Sequence, residues 1–269
     1  MSRMPPDTIR PAEPRVNIGT SGYYYTDWKG HFYPDTLRKE DYLPYYRLFF
    51  DTVELNFSFY QMPVSTQLLR FADLALQPLS ISMKAYRGIT HEDADTELIE
   101  VFMSRVDVLI RAGILKTVLF QFPFSFRESP AGWEKLEGIV RHVHGVIPVV
   151  EFRHVSWFTP EALRRLEHLD IVVCGTDMPT LNDLPGCRLH STHAVGYMRF
   201  HGRNAGTWWN RGDAYERYDY LYTRQELLDL VPALKKWISR HSEVYIFFNN
   251  HYRGQAVQNG QMMIAFLAD

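Results

Sequence analysis

The sequence predicts an α/β fold: a single TIM-like (β/α)8 barrel with an irregular connection between its sixth and seventh strands. Three observations predict it. Eight short β-rich runs, each stopped by Gly, Pro or polar residues, alternate with helix-period segments, and that alternation implies a parallel sheet. Eight is also the number at which such a sheet closes, and 269 residues are close to the roughly 250 that one barrel takes. The turn after the first run contains neither G-x-G-x-x-G nor G-x-x-x-x-G-K, which argues against the alternative, an open doubly wound sheet.

The predicted strands are 16–22, 52–59, 81–86, 117–123, 149–154, 171–177, 195–202 and 244–250. A long aromatic connection, 23–38, follows the first. After the second, Ser65 is read as the cap of a helix with Leu68, Leu69, Ala72 and Leu76 on one face and Pro78 as its stop. Leu98, Phe102, Val106 and Leu109 form the next stripe, ended by Gly113. Ser129-Pro130 and Thr159-Pro160 each set a capping oxygen before a proline at the first helical position, where the missing N–H is harmless. Pro179, Asn182, Asp183, Pro185 and Gly186 leave little room for a full helix across 178–194. A second long connection, 203–222, precedes the capping box Thr223-Arg224-Gln225-Glu226 and its helix. The last helix is expected from Gln255, burying Val257, Ile264 and Leu267.

Composition narrows the function classes. Lys and Arg number 29 against 31 Asp and Glu, a net charge of −2 without a basic run, so nucleic acid is not the expected partner. The two cysteines, Cys174 and Cys187, lack metal-ligand spacing and are read as reduced thiols. No apolar run approaches the roughly 18 to 20 residues of a membrane span, and residues 1–15 hold four prolines and no hydrophobic block. The expectation is a cytoplasmic protein with a flexible leader at 1–15 and one barrel domain at 16–269.

Parallel barrel strands are normally apolar on both faces; here one parity is polar. Glu54, Asn56 and Ser58 alternate with Val53, Leu55, Phe57 and Phe59, and Ser82 and Lys84 with Ile81 and Met83. Gln121 lies between Phe120 and Phe122, Glu151 and Arg153 flank Phe152, Arg199 and His201 flank Phe200, and Asn249 ends the last strand. Opposite parities face opposite sides, so the polar set should face the barrel axis, mostly at the C-terminal strand ends where barrel enzymes work. The axis is thus expected to gather Glu54, Glu151 and Asp177 against Lys84, Arg153 and Arg199, with His201, and His251 as a further candidate, able to change charge near neutral pH. A buried structural ion network is the plain alternative, but desolvating six ions is expensive, which favours a ligand site.

Residue chemistry suggests roles. Glu54 and Glu151 suit proton transfer, joined as catalytic candidates by Lys84, Asp177 and His201. Arg153 and Arg199 suit an anionic group, and Asn56, Gln121, Asn249 and Asn250 suit hydroxyls or base edges. Trp28, Trp157, Trp208 and Tyr220 could stack on a sugar or base, with His91 nearby. No cofactor is expected. A divalent metal on Glu54, Glu151, Asp177, His201, His251 and His91 is the competitor, against which stand the absence of H-E-x-x-H, the lack of H-x-H spacing among these residues and the interleaved cations. The leading expectation is an enzyme doing acid/base chemistry on a small anionic, sugar-like or nucleotide-like molecule. The alternatives are a metal-assisted hydrolase or isomerase, or a non-catalytic protein binding a ligand or single-stranded nucleic acid.

Several segments in order carry a resemblance: Ile18-Gly19-Thr20-Ser21-Gly22, Val53-Glu54-Leu55-Asn56, Phe120-Gln121-Phe122-Pro123, Val150-Glu151-Phe152-Arg153, Thr176-Asp177-Met178-Pro179, Arg199-Phe200-His201-Gly202-Arg203 and Phe248-Asn249-Asn250-His251. With them the chain resembles the YecE-like proteins, the domain of unknown function numbered 72, over about residues 16 to 267. The resemblance implies a TIM-barrel-like fold and supplies no activity. Tyr23 stands where members often have Trp, and Phe57 where a small hydroxyl residue is common.

Overall fold

The computed structural model describes residues 13–73, 79–92, 96–209 and 216–269. Most of the expected leader, with Leu76 and Pro78, lies outside the described residues. The strands are β1 (Arg15–Ser21), β2 (Thr52–Leu55), β3 (Ser80–Lys84), β4 (Leu115–Gln121), β5 (Ile147–Glu151), β6 (Val172–Val173), β7 (Gly175–Asp177), β8 (Val195–Phe200) and β9 (Glu243–Phe248). They form one sheet in the order β6-β5-β4-β3-β2-β1-β9-β8-β7, with parallel neighbours throughout. Its two ends, β6 and β7, are separated by Cys174 alone, so the backbone itself completes the barrel. They are the halves of the single sixth strand expected at 171–177. The first half bonds β5 and the second bonds β8. The following connection, 178–194, contains no helix, as expected, and pairs back on the strand through an antiparallel bridge between Thr176 and Arg188.

The helices are α1 (Tyr42–Tyr46), α2 (Phe57–Tyr60), α3 (Ser65–Asp73), α4 (Arg87–His91), α5 (Thr96–Arg111), α6 (Pro130–His142), α7 (Pro160–His168), α8 (Arg224–Ile238) and α9 (Gln255–Ala268). Ser129 accepts from the Gly132 N–H and Thr159 from the Ala162 N–H, both at 3.1 Å, and Thr223 and Glu226 form both halves of the capping box. Ser65 departs from expectation. It is the first residue of α3, and its hydroxyl donates to the Arg105 carbonyl (3.2 Å), tying α3 to α5. The second strand is shorter than expected: Asn56 adopts helical backbone angles, and α2 begins where Phe57 to Phe59 were expected to continue the strand. Ser58 on α2 donates to the Lys84 carbonyl (2.5 Å), so this turn is fastened to the end of β3. In α9, Val257 is buried but Ile264 is 39% exposed, because it lies on the outer side of the helix.

The apolar parity of the strands packs against the helices, as Val53, Met83, Phe120, Phe152, Phe200 and Phe248 illustrate. The opposite parity builds a separate interior cluster from Leu119, Val149, Val172, Cys174, Val195, Tyr197, Tyr245 and Phe247. This cluster is the floor of the barrel, and the polar residues occupy the C-terminal half above it.

β1 and β2 approach closely at Gly19, where an added Cβ would stand 2.2 Å from the Thr52 carbonyl oxygen. Gly19→Ala must force these strands apart. The expected result is a loss of more than about 2 kcal/mol, seen as a lower urea midpoint with an unchanged slope.

Candidate functional site

Arg199, on β8, crosses the barrel axis and is 1% exposed. It donates to Glu151 Oε2 and Glu54 Oε1, each at 2.7 Å, and to Ser21 Oγ at 3.3 Å. The other Glu54 oxygen accepts from the Tyr197 hydroxyl (2.7 Å), which also meets Ser82 Oγ at 2.6 Å. The other Glu151 oxygen faces Arg153 Nε at 2.6 Å and His201 Nε2 at 3.3 Å. The Asn249 amide lies 3.0 Å from His201 Nδ1. Donation from that amide to Nδ1 leaves the imidazole proton on Nε2, facing Glu151.

The electrostatics follow from burial and pairing. Burial alone would raise the Glu151 carboxyl, but the cations of Arg153 and Arg199 hold it well below the usual carboxylate range. Burial works against the charge on Arg199 too, and Glu54 and Glu151 more than offset it. Burial brings His201 down to about 3 despite Glu151, so its ring is neutral. Lys84 stands apart. Its Nζ donates to a neutral acceptor, Gln121 Oε1 (2.8 Å), and sits 3.7 Å from the centre of the Phe59 ring. Among the described residues, its amine forms no ion pair. Burial, reinforced by the Arg199 charge and opposed by Glu151, lowers it to about 7.

Glu54, Lys84, Gln121, Glu151, Arg153, Arg199, His201 and Asn249 therefore converge as their parity predicted. Asn56 joins them at the end of β2 with a buried Oδ1 that has no protein partner. Trp208 is buried with the Arg153 guanidinium 5.6 Å above its ring. His91 is exposed at the rim, edge-on to Phe59 at 5.0 Å, with Nδ1 against Thr90 Oγ1.

Other expected members lie elsewhere. Asp177 is in register with Phe200, not Arg199, and so points outward, where Arg203 binds it through two nitrogens (2.9 and 2.7 Å) and the Tyr222 hydroxyl at 2.7 Å. Asn250 also faces outward, donating to the Tyr220 carbonyl and to Asn259, both at 2.8 Å. Trp28 is fully buried, its Nε1 donating to the His251 carbonyl. Trp157 is fully buried against Phe152 outside the barrel, with Nε1 on the Phe126 carbonyl. Tyr220 spends its hydroxyl on Glu226, in the α8 cap. Each of these five side chains is engaged by close packing or by an internal partner away from the axis.

Moving Asp177 off the axis changes the charge balance from the three against three that the sequence suggested. Two carboxylates, Glu54 and Glu151, now face three cations, Lys84, Arg153 and Arg199. Sequence reasoning overlooked Tyr197 as a site residue, although it lies two positions before Arg199 on the same parity. It also placed Phe59 on an outward strand face rather than over Lys84. Among the described residues, no three His, Cys, Asp or Glu side chains are grouped to hold a metal ion, and no helix is long and apolar enough to cross a membrane.

Comparison with known proteins gives a consistent lineage. The family model described as "Protein of unknown function DUF72" matches residues 17–269. A DUF72 family protein from Thermotoga maritima MSB8 is 35% identical, with a TM-score of 0.87 over 95% of this chain and 100% of that one. A second, from Enterococcus faecalis V583, is 24% identical with a TM-score of 0.82, covering 94% of this chain and 96% of that one. The UPF0759 protein YunF of Bacillus subtilis (strain 168) is 27% identical over 264 residues, covering 90% of this chain and 93% of that protein.

Removing the bridging cation should expose how much the fold depends on it. Arg199→Met leaves two buried carboxylates facing each other, and the expected loss is about 3–5 kcal/mol by chemical denaturation. The deficit should shrink as pH falls, because protonation relieves the Glu151 carboxylate that Arg199 otherwise helps to hold ionised.

Proposed function

The chain belongs to the DUF72 family of proteins of unknown function, and on that premise we propose that it is an enzyme. It takes a small anionic molecule, sugar-like or nucleotide-like, at the C-terminal mouth of the barrel and works on it by acid/base chemistry. The observation that carries this reading is the surplus cation: Glu54 and Glu151 neutralise Arg199 and Arg153, and Lys84 is left with an amide and a ring as its contacts. An anion entering the mouth completes the balance, since a buried charge without a partner is unfavourable.

The roles differ from those the sequence suggested. Both oxygens of Glu54 are engaged and Glu151 is held ionised, so these carboxylates fix the arginines instead of moving protons. Lys84 is the proton-transfer group, because an amine that titrates near 7 exchanges its proton with a substrate at neutral pH. Neutral His201 holds Nε2 3.3 Å from Glu151, Arg153 supplies positive charge beside the mouth, and the unpaired Asn56 Oδ1 accepts from a substrate hydroxyl. Gln121 and Asn249 orient Lys84 and His201.

Sulfate, whose charge is constant across this range, is the first probe. Dilute sulfate should raise the Tm at about pH 6, less so at about pH 9 where Lys84 is neutral, and should have no such effect on Lys84→Met. Equal shifts in both proteins, or none in either, would contradict the proposal. Without ligand, the folded chain releases the Lys84 proton near 7 and the unfolded chain near 10.5. The parent therefore gains stability as pH rises between those values, and the Tm advantage of Lys84→Met should be largest below pH 7 and fade toward 10.5.

A further inference from the structure

We infer that the Lys84 amine is a nucleophile that forms an imine with the carbonyl carbon of a small aldehyde or ketone carrying an anionic group. This rests on the reading of the barrel mouth as the site and names the class of substrate.

Four observations support it. Lys84 ends β3 half-buried, with Nζ 3.7 Å from the centre of the Phe59 ring, which shields one side of the amine from water. Its polar partner is neutral: Gln121 Oε1 accepts an N–H and leaves the nitrogen lone pair unused when the amine is unprotonated. The charged groups that act on it from the surrounding elements are Arg199 on β8 and Arg153 after β5, which disfavour an ammonium, and Glu151 on β5 and Glu54 on β2, which favour one but are bound to those arginines. A lysine in this setting presents the neutral amine that covalent catalysis requires. Finally, the exposed His91 on α4 stands edge-on to the same Phe59 ring, 5.0 Å between ring centres.

The chemistry balances without an oxidant or reductant. The lone pair of Lys84 attacks the carbonyl carbon, forming the C–N bond as the C=O π pair moves to oxygen, which takes a proton. The nitrogen then gives up a proton, the hydroxyl takes one and leaves as water, and the nitrogen lone pair forms the C=N bond. His91 carries protons between the nitrogen and the departing oxygen. The anionic group of the substrate occupies the positive mouth beside Arg153, which sets the carbonyl over Lys84 rather than over a surface amine.

Imine trapping tests this on the intact protein. Purified chain is incubated near neutral pH with pyruvate or, separately, dihydroxyacetone phosphate, reduced with sodium borohydride, and analysed by intact-protein and peptide mass spectrometry. The expected result, with at least one of the two probes, is one saturable reduced adduct per chain mapped to Lys84. That adduct should be lost in Lys84→Met and slowed to form in His91→Ala. The mapping is made on the parent protein, so it does not depend on how a variant folds. Adducts spread over exposed lysines such as Lys29, Lys235 and Lys236, or no adduct with either probe, would overturn the inference. The sulfate measurement separates the two claims: a Lys84-dependent Tm shift without an adduct sinks the imine and leaves the anion site, whereas loss of both sinks the site as well.

Discussion

The Arg199 guanidinium, held between Glu54 and Glu151, is the interaction on which the interior of this barrel depends. It joins β8 to β2 and β5 across the axis through two charge-assisted bonds of 2.7 Å each. Isolated, each of these ions would be strongly disfavoured inside a protein; together they offset one another, with Tyr197, Ser21 and Ser82 taking further bonding positions and Arg199 Nε left without a hydrogen-bond partner. The floor beneath them is apolar and filled, so the set cannot relax downward into water. It is a rigid base on which groups nearer the mouth are placed.

What lies above that base is unbalanced by one positive charge. Arg153 turns back to Glu151, His201 is neutral, and Lys84 faces a ring and an amide. A fold selected only for stability would gain from a hydrophobic side chain at that position, because the floor and the outer packing need nothing from the amine. Retaining a cation in a half-buried place, with the buried carbonyl oxygen of Asn56 also unpaired, supports the proposed site, in which stability would be given up for chemistry. The anion reading and the imine reading both begin from this one residue.

Much of this was legible in the sequence because polar and apolar residues alternate in β2 and β3 and at the C-terminal ends of β5 and β8, and period two assigns each residue a face. The rule failed where the pattern carried no information. Ile171 to Cys174 are all apolar, so nothing in the sixth strand fixed which parity faced the axis, and Asp177 was assigned inward. Asn250 was misjudged by adjacency to Asn249, though neighbouring strand residues point to opposite faces. The end of β2 was hidden because Phe57 and Phe59 continue the alternation in sequence while the backbone has already turned at Asn56. The aromatics were the least readable: Trp28 and Trp157 are consumed by tertiary packing, while Phe59, which does shape the site, looked like an ordinary outward residue.

The most direct test of the account is the titration of Lys84 itself, by competitive acetylation across pH with the extent at each lysine read by peptide mass spectrometry. An amine left over from the Glu54–Arg199–Glu151–Arg153 pairing should react with a midpoint near 7, far below the exposed lysines. A midpoint near the ordinary 10.5 would mean that its charge is already compensated, and the surplus cation at the centre of this account would not exist.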